Sequence, residues 1–223
     1  MLAIVLAGGE NRRLPVTKSF INIGGRRLIE GLLSTLGGFF DRLAISTNEP
    51  EKYFYLGVPL IGDVYPVRGP MTGIFSALSF YSAGGPGSAG GAEHDAFFIA
   101  CDMPFVNMGL VAGLAGMREK KSRPGYDAIV PMWKGRPEPL FAFYSSACLP
   151  MMEKKLAAGQ TGLREFLADK KTCTSYLDEK KVREVDPEGF SFININTGED
   201  LEAATAVAEA ARAGAGKGQR AGD

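Results

Sequence analysis

Two short stretches of the sequence carry side chains that could hold a negatively charged ligand. The first, AGGENRRLPVTK, follows the apolar run LAIVL and contains two glycines and three cations: Gly8, Gly9, Arg12, Arg13 and Lys18. Glycines leave backbone N–H groups accessible, because no Cβ blocks the approach, and the cations add further donors. This set suits a triphosphate or a pyrophosphate. A tight turn with solvated basic side chains explains the stretch equally well.

The glycine-rich loop differs from the common phosphate-binding motifs. The P-loop pattern Gly-x-x-x-x-Gly-Lys-Ser/Thr is absent, and the loop lacks the Gly-x-Gly-x-x-Gly pattern of dinucleotide-binding folds. Neither of these two motifs therefore explains the glycines and the cations.

The second stretch ends in an acid. Asp102 follows the apolar run AFFIAC, where a buried carboxylate without a partner is costly. A Mg²⁺ ion would supply that partner, since it prefers carboxylate and phosphate oxygens. The alternative is an Asp that caps a short turn through backbone N–H groups. The phosphate-suited loop favours the metal ligand.

Short apolar runs alternate with helical patterns along most of the chain. The patterns predict strands at 2–6, 42–48, 58–62, 95–102, 126–131, 139–146 and 190–196, and helices at 26–40, 49–57, 71–82, 107–121, 145–159, 163–171 and 199–213. This alternation predicts an α/β fold, a Rossmann-like three-layer sandwich with a mostly parallel sheet. We expect one domain over 1–213 and a flexible tail over 214–223.

The polar residues follow the predicted strands rather than interrupting them. Asn48 comes after the second strand, Asp63 after the third and Asp102 after the fourth. In open parallel sheets, ligands bind outside the carboxyl ends of the strands. The sequence therefore predicts that these side chains and the glycine-rich loop meet at one edge of the sheet.

The composition excludes some classes of protein. Lys plus Arg equals Asp plus Glu, 25 each, which argues against nucleic-acid binding through net positive charge. The three cysteines are far apart and form no zinc-binding pattern. No run approaches the ~20 apolar residues that span a bilayer, and the start lacks the cations of a signal peptide. We expect a cytoplasmic protein without a membrane or nucleic-acid partner.

Several motifs occur in a fixed order along the chain. They are LAGGENRRLPVTK, GG at 24–25, RGPMTGIFSAL at 68–78, ACDMPF at 100–105, GRPEPLFAFY at 135–144 and FININTGEDL at 192–201. Together they resemble the molybdenum cofactor guanylyltransferases, the MobA family of the nucleotidyltransferase superfamily. The first motif alone marks only the superfamily, whereas its combination with Arg-Pro-Glu-Pro-Leu and Asn-Ile-Asn-Thr is much more specific.

This resemblance implies both a fold and a reaction. The fold would be of the nucleotide-diphospho-sugar transferase type. The enzyme would transfer GMP from GTP to the phosphate of molybdenum-molybdopterin, forming the guanine dinucleotide cofactor and pyrophosphate. It would use Mg²⁺ as cofactor and GTP and molybdopterin as substrates. Molybdoenzymes and cofactor-delivery proteins are further candidate partners.

The resemblance also assigns roles to individual residues. On the nucleotide side it implies contacts from Leu6, Ala7, Gly8, Gly9, Asn48, Asp63 and Gly69. In the reaction it implies phosphate binding by Lys18, charge neutralisation by Arg13 and a Mg²⁺ ligand at Asp102.

On the pterin side, the resemblance implies contacts from Asn194 and Asn196, and a contact between Arg136 and the pterin phosphate. The two asparagines alternate with isoleucines, so they would share one face of the predicted strand. A solvated Arg136 and asparagines bonded to loop backbone are the structural alternatives.

One departure from the family pattern keeps other functions open. The loop reads Arg13-Leu14-Pro15 where the family commonly has Arg-Met-Gly, and Pro15 removes a backbone donor. The alternatives are a cytidylyltransferase, a sugar-phosphate nucleotidyltransferase and a non-catalytic nucleotide-binding regulator. Cytidylyl relatives tend to read Leu-Ala-Ala-Gly, whereas this chain reads Leu-Ala-Gly-Gly at 6–9, which favours guanine. Retention of Lys18 and Asp102 argues against the regulator.

Overall fold

The computed structural model describes residues 1–8, 18–85, 95–120 and 125–218. Gly9, Arg13 and Pro15 of the predicted phosphate loop lie outside the described residues, as do residues 219–223 of the predicted tail.

The described residues alternate between strands and helices, as the sequence predicts. The strands are β1 (Leu2–Leu6), β2 (Asn22–Ile23), β3 (Arg26–Arg27), β4 (Arg42–Ser46), β5 (Leu60–Ile61), β6 (Asp95–Ala100), β7 (Ala128–Trp133), β8 (Arg136–Pro137), β9 (Phe141–Ser145) and β10 (Thr174–Leu177). The helices are α1 (Leu28–Gly37), α2 (Pro70–Ser82), α3 (Met108–Lys120), α4 (Leu149–Ala157), α5 (Leu163–Leu167), α6 (Glu179–Val185) and α7 (Gly198–Gly218).

The main sheet has the order β10-β7-β9-β6-β1-β4-β5, with β8 joined to β7. Strand β1 pairs in parallel with β4 on one side and with β6 on the other. Its five residues are all buried, which explains the unbroken apolar run of its sequence. The prediction of a mostly parallel sheet is confirmed.

Helices cover both faces of the sheet. Along β1, Ala3 and Val5 belong to one buried cluster and Leu2, Ile4 and Leu6 to another, because successive side chains point to opposite faces. The first cluster includes apolar residues of α1 and α3, and the second includes those of α2, α4 and α5. The predicted three-layer arrangement is therefore confirmed.

Strand β9 is antiparallel to its neighbours, so the segment that precedes it lies at the carboxyl edge of the sheet. It pairs antiparallel with β6 and with β7. Its first residues therefore lie where the parallel strands end. The backbone carbonyl of Leu140 accepts a hydrogen bond from the N–H of Ala100 at 3.1 Å, which fixes the segment before β9 beside the end of β6.

The prediction of a strand at 190–196 is wrong. Residues Phe190–Phe192 form a 3₁₀ turn, held by the buried carboxylate of Asp186, which accepts the N–H groups of Phe190 and Ser191. The following segment is extended but joins no sheet. The alternation of isoleucines and asparagines in this segment therefore does not come from a strand. Buried Phe192 and Ile195 pack into two different clusters.

Other element boundaries also differ from the predictions. The helix predicted at 145–159 begins at Leu149, and Pro150 lies in its first turn, where it costs no intrahelical hydrogen bond. The predicted helix at 49–57 is two 3₁₀ turns. The sequence patterns missed β10 and α6. Helix α7 continues to Gly218, five residues into the predicted tail.

Alanine substitutions at two glycines test how tightly the region around Trp133 is packed. Gly189 and Gly57 have nearly equal φ angles, +66° and +68°. A Cβ at Gly189 would lie 2.2 Å from the Trp133 ring, whereas a Cβ at Gly57 would meet no atom of the described residues within 4 Å, apart from its chain neighbours. We expect Gly57→Ala to cost about 1 kcal/mol for the left-handed backbone alone. Gly189→Ala should cost about 3 kcal/mol, because overpacking adds to it.

Urea unfolding of both variants measures this difference. Trp133 is the only tryptophan in the chain, so its emission spectrum should change in Gly189→Ala and stay unchanged in Gly57→Ala. Equal losses of stability in the two variants would contradict the packing described here.

Candidate active site

Three polar side chains from distant parts of the sequence meet at the carboxyl edge of the sheet. The ammonium of Lys18 lies 3.0 Å from a carboxylate oxygen of Asp102. It also donates a hydrogen bond to the side-chain oxygen of Asn196. Lys18 and Asp102 are both partly buried, so their charges are screened less than those of a surface pair. The structure thus brings together three of the predicted site residues.

A buried hydrogen bond anchors the backbone beside Lys18. Residues Lys18–Phe20 form a 3₁₀ turn in which Ser19 is buried. The hydroxyl groups of Ser19 and Tyr53 lie 2.8 Å apart, and the ring of Phe20 stacks on that of Tyr53. Burial raises the pKa of Tyr53 to about 12, so this phenol stays protonated. The turn is therefore held in the interior while the Lys18 ammonium reaches Asp102.

The backbone around Asp102 is tied to two neighbouring segments. The N–H of Cys101 donates to the carbonyl of Leu6 at 3.1 Å, and the carbonyl of Asp102 accepts the N–H of Ile195 at 3.0 Å. In the described ranges, the Asp102 carboxylate accepts from Lys18 and from no backbone N–H. This geometry disfavours the turn-capping alternative. Burial raises the pKa of the adjacent Cys101 thiol to about 12, which leaves it a poor nucleophile.

Asn196 is held by the start of α7. The carboxylate of Asp200 accepts the N–H groups of Asn196 at 2.9 Å and Thr197 at 2.8 Å. In return, the N–H of Asp200 donates to the Thr197 hydroxyl at 3.2 Å, so the two residues cap the helix reciprocally. The hydrogen bond from the Asn196 N–H is the main cause that lowers the pKa of Asp200. The sequence patterns did not identify this role.

A second polar pair follows β4 and β5, on the other side of β1. The side chain of Asn48 donates to the Asp63 carboxylate at 2.6 Å and accepts the N–H of Asp63 at 2.8 Å. Gly73 lets α2 approach the end of β4 beside this pair, since a Cβ there would lie 2.8 Å from the Ser46 hydroxyl. Gly73 belongs to the RGPMTG motif, but the motif by itself does not reveal that α2 comes so close to β4 at this glycine.

The remaining predicted nucleotide contacts surround the end of β1. Leu6 and Ala7 are buried, and Gly8 is exposed. Among the described residues other than its chain neighbours, none has an atom within 4 Å of the position of a Cβ at Gly8, so this part of the chain leaves the Gly8 backbone accessible. Gly69 precedes α2 with φ +156°, and a Cβ there would lie 3.2 Å from Thr161.

A cleft of about 440 Å³ opens beside Asp102. Its walls include the predicted residues Asp102, Asn194 and Asn196. The amide of Asn194 also donates to the carbonyl of Phe192 at 3.1 Å, so its local backbone contact and its place in the cleft coexist. Arg136 is exposed on β8 and is not among the residues that line this cleft.

Charged residues without a sequence-based role also line the cleft. They are Glu138, Arg164 and Glu165. Glu138 stands in the GRPEPLFAFY motif, whereas no spacing in the sequence distinguishes Arg164. Burial raises the pKa of Glu138, and the positive charge of Arg164 opposes the rise.

The donor set at Asp102 fits a metal ion that shares its ligands with a substrate. Across residues 1–8, 18–85, 95–120 and 125–218, no group of three or more His, Cys, Asp or Glu side chains could hold a metal. Mg²⁺ commonly binds through one or two carboxylates together with substrate phosphates and water. Asp102 could therefore hold Mg²⁺ only as part of a metal–phosphate complex.

Comparisons with known proteins find relatives over most of the chain. The family model described as MobA-like NTP transferase domain matches residues 3–175. A molybdenum cofactor guanylyltransferase of Desulfosudis oleivorans is 34% identical over 210 residues, which cover 94% of this chain and 96% of the relative. A probable molybdenum cofactor guanylyltransferase of Peptoclostridium acidaminophilum is 32% identical over 202 residues, 89% of this chain and 86% of the relative.

The fold is similar to that of a solved structure. The crystal structure of molybdopterin-guanine dinucleotide biosynthesis protein A from Archaeoglobus fulgidus superposes with a TM-score of 0.76 at 26% sequence identity. The match covers 94% of this chain and 99% of that protein. Within the described part of the chain, no helix has the length and apolar character that crossing a membrane requires.

The cap at Asp200 makes a pH-dependent contribution to stability. We expect Asp200→Ala to lower the free energy of unfolding at pH 7 by about 1 kcal/mol, because the first turn of α7 loses its acceptor. The folded pKa lies below the unfolded value of ~3.9. The contribution is therefore complete above that value and is lost as the pH falls through the folded pKa.

Urea unfolding between pH 7 and pH 3 tests this expectation. The difference between wild type and Asp200→Ala should shrink toward pH 3. The exposed Glu202 later in α7 offers a matched control, and Glu202→Ala should change stability by less than about 0.5 kcal/mol. A loss in Asp200→Ala that is constant over this range would contradict the role of the charge.

Proposed function

The chain belongs to the MobA-like NTP transferase family, and we propose that it transfers GMP from GTP to the phosphate of molybdenum-molybdopterin. Relatives that are 30–34% identical over most of the chain are named guanylyltransferases of this cofactor. The observation that carries the proposal is the Lys18–Asp102 contact, which lies between the Asn48–Asp63 pair and the cleft.

The reaction exchanges one phosphoanhydride bond for another. An oxygen of the molybdopterin phosphate forms a bond to the α-phosphorus of GTP. The bond from that phosphorus to the oxygen bridging to the β-phosphate breaks, and pyrophosphate leaves with the electron pair. A phosphate monoester is already anionic at neutral pH, so the attack needs no general base. Catalysis then reduces to alignment of the two phosphates and stabilisation of their charge.

The residues of the described site suit these tasks. Lys18 would move its ammonium from Asp102 to the phosphates of GTP and stabilise the charge that develops there. Asp102 would then hold Mg²⁺, which when bound neutralises the charge of the phosphate oxygens. Asn196 would keep Lys18 close to both sites through its side-chain oxygen. Asn194 and Asn196 would also contact the pterin.

The guanosine would lie across the end of β1. Backbone groups of Leu6, Ala7 and Gly8 would follow the nucleotide, with the Asn48–Asp63 pair as the contact for the guanosine. Gly69 would leave room for the nucleotide before α2. The proposal also includes a nucleotide contact from Gly9 and charge neutralisation by Arg13, both of which rest on the motif LAGGENRRLPVTK.

A product assay tests the function. The protein is incubated with Mg²⁺, molybdenum-loaded molybdopterin and one of the four nucleoside triphosphates, and the product is weighed by mass spectrometry. We expect the mass of the GMP adduct with GTP and no adduct with ATP, CTP or UTP. A CMP adduct would identify a cytidylyltransferase, and nucleotide binding without any adduct would identify a regulator.

The metal ligand can be tested by a single substitution. We expect Asp102→Asn to lower turnover at saturating GTP and Mg²⁺ by about 10³-fold or more, because the amide replaces an anionic oxygen ligand. The thermal unfolding temperature should stay close to that of wild type. Asp41 provides a control, since it is exposed at the opposite edge of the sheet and pairs with the N-terminal amine.

Asp41→Asn should retain full turnover in the same assay. Turnover of Asp102→Asn within a few-fold of wild type at saturating Mg²⁺ and GTP would refute the role of Asp102 as the metal ligand.

A further inference from the structure

Among the described acidic residues that line the cleft beside Asp102, Glu138 is the partly buried one whose charge no contact compensates. In the part of the chain that the structure describes, the Glu138 carboxylate makes no hydrogen bond and no ion pair. Glu138 is nevertheless partly buried. Arg164 makes no hydrogen bond or ion pair with it and affects it only through the Coulomb interaction of the two charges. A carboxylate that is partly desolvated and that no protein donor contacts keeps open acceptor sites, which a ligand in the cleft can fill.

The backbone holds Glu138 in a rigid frame. Its N–H donates to the carbonyl of Pro131 at 3.0 Å, and its carbonyl accepts the N–H of Phe141 at 3.2 Å. Pro137 and Pro139 flank it and restrict φ on both sides. Such a frame fixes the backbone from which the side chain extends, so ligand binding requires no further ordering of the backbone at this position.

Apolar side chains line the same cleft. Met103, Pro139, Leu140 and Leu163 are among its walls. Apolar surfaces of this kind pack against the flat faces of an aromatic ring system, while a few polar groups fix its orientation. A carboxylate among them selects a heterocycle that presents two adjacent N–H donors at its edge, because its two oxygens accept both in parallel.

The pterin ring system has such an edge, formed by its N3–H and its 2-amino group. We propose that Glu138 binds this edge and selects the pterin ring of the acceptor substrate. The inference rests on the proposed function. The pterin edge lies at the opposite end of molybdopterin from the phosphate that reacts. Its partner should therefore share the cleft with Asp102 without joining the Lys18–Asp102–Asn196 cluster, and Glu138 meets both conditions.

Guanine presents the same pair of donors, so the position of Glu138 decides between the two rings. Glu138 precedes β9, which lies beyond β6 in the sheet. The Asn48–Asp63 pair follows β4 and β5, on the other side of β1. The carboxylate is therefore on the side of the acceptor and away from the nucleotide half of the site.

A pair of fluorescent pteridines tests the proposal without catalysis. Pterin carries the 2-amino donor, whereas lumazine carries a 2-oxo acceptor in its place. Fluorescence titrations measure the affinity of both compounds for the wild type and for Glu138→Gln. The glutamine amide offers one acceptor and one donor, which match N3–H and the 2-oxo group of lumazine. We expect the ratio of pterin to lumazine affinity to fall at least 10-fold in Glu138→Gln.

Two controls accompany the titrations. Glu165→Gln changes another carboxylate of the same cleft, but one that is exposed and lies against the backbone of Gly162. It should leave the ratio within about two-fold of wild type, as expected for a solvated group. Calorimetry with Mg²⁺ and GTP should give the same nucleotide affinity for Glu138→Gln and wild type.

Each outcome decides the matter. A wild type without a preference for pterin, an equal loss of both pteridines, or a loss of GTP affinity in Glu138→Gln would overturn the proposal. The product assay judges the proposed function separately. If no GMP adduct forms while the ratio still falls, the guanylyltransferase assignment fails and pterin recognition stands. If the adduct forms while the ratio is unchanged, only the role of Glu138 fails.

Discussion

The contact between Lys18 and Asp102 is the interaction on which the site depends. It joins the turn after the glycine-rich loop to the end of β6, and Asn196 extends it to the segment before α7. Each partner has its own support: the Ser19–Tyr53 hydrogen bond for the lysine, and the hydrogen bonds of Cys101 and of the Asp102 carbonyl for the acid. The positions of two charges thus depend on elements from most of the chain.

Much of this arrangement could be predicted from the sequence. The unbroken apolar runs of β1 and β6 showed strands that are buried on both faces, and the rule for parallel sheets then located Asp102, Asn48 and Asp63 at one edge. Lys18 and Asn196 followed from the family motifs. These predictions succeeded because hydrophobic pattern and strand order are local or nearly local properties of a chain.

The rest depends on contacts that no local pattern encodes. The antiparallel direction of β9 is decided by its pairing with β6 and β7. Because of this direction, Glu138 reaches the site although it precedes a strand, whereas Asn48, Asp63 and Asp102 follow one. The alternation of isoleucines with Asn194 and Asn196 looks like a strand, although buried Phe192 and Ile195 pack into different clusters beside a turn that Asp186 holds. Strand β10 is short and half exposed, so it carries little apolar signal.

The state of Lys18 has a consequence for which ligands the site admits. Its charge is already balanced by Asp102, so a free anion that binds the lysine must displace the carboxylate and leave it uncompensated in a partly buried place. A nucleotide that arrives together with its cation balances both charges at once. In the proposed reaction, the resting ion pair would therefore discriminate against bare anions and favour the metal complex of the nucleotide.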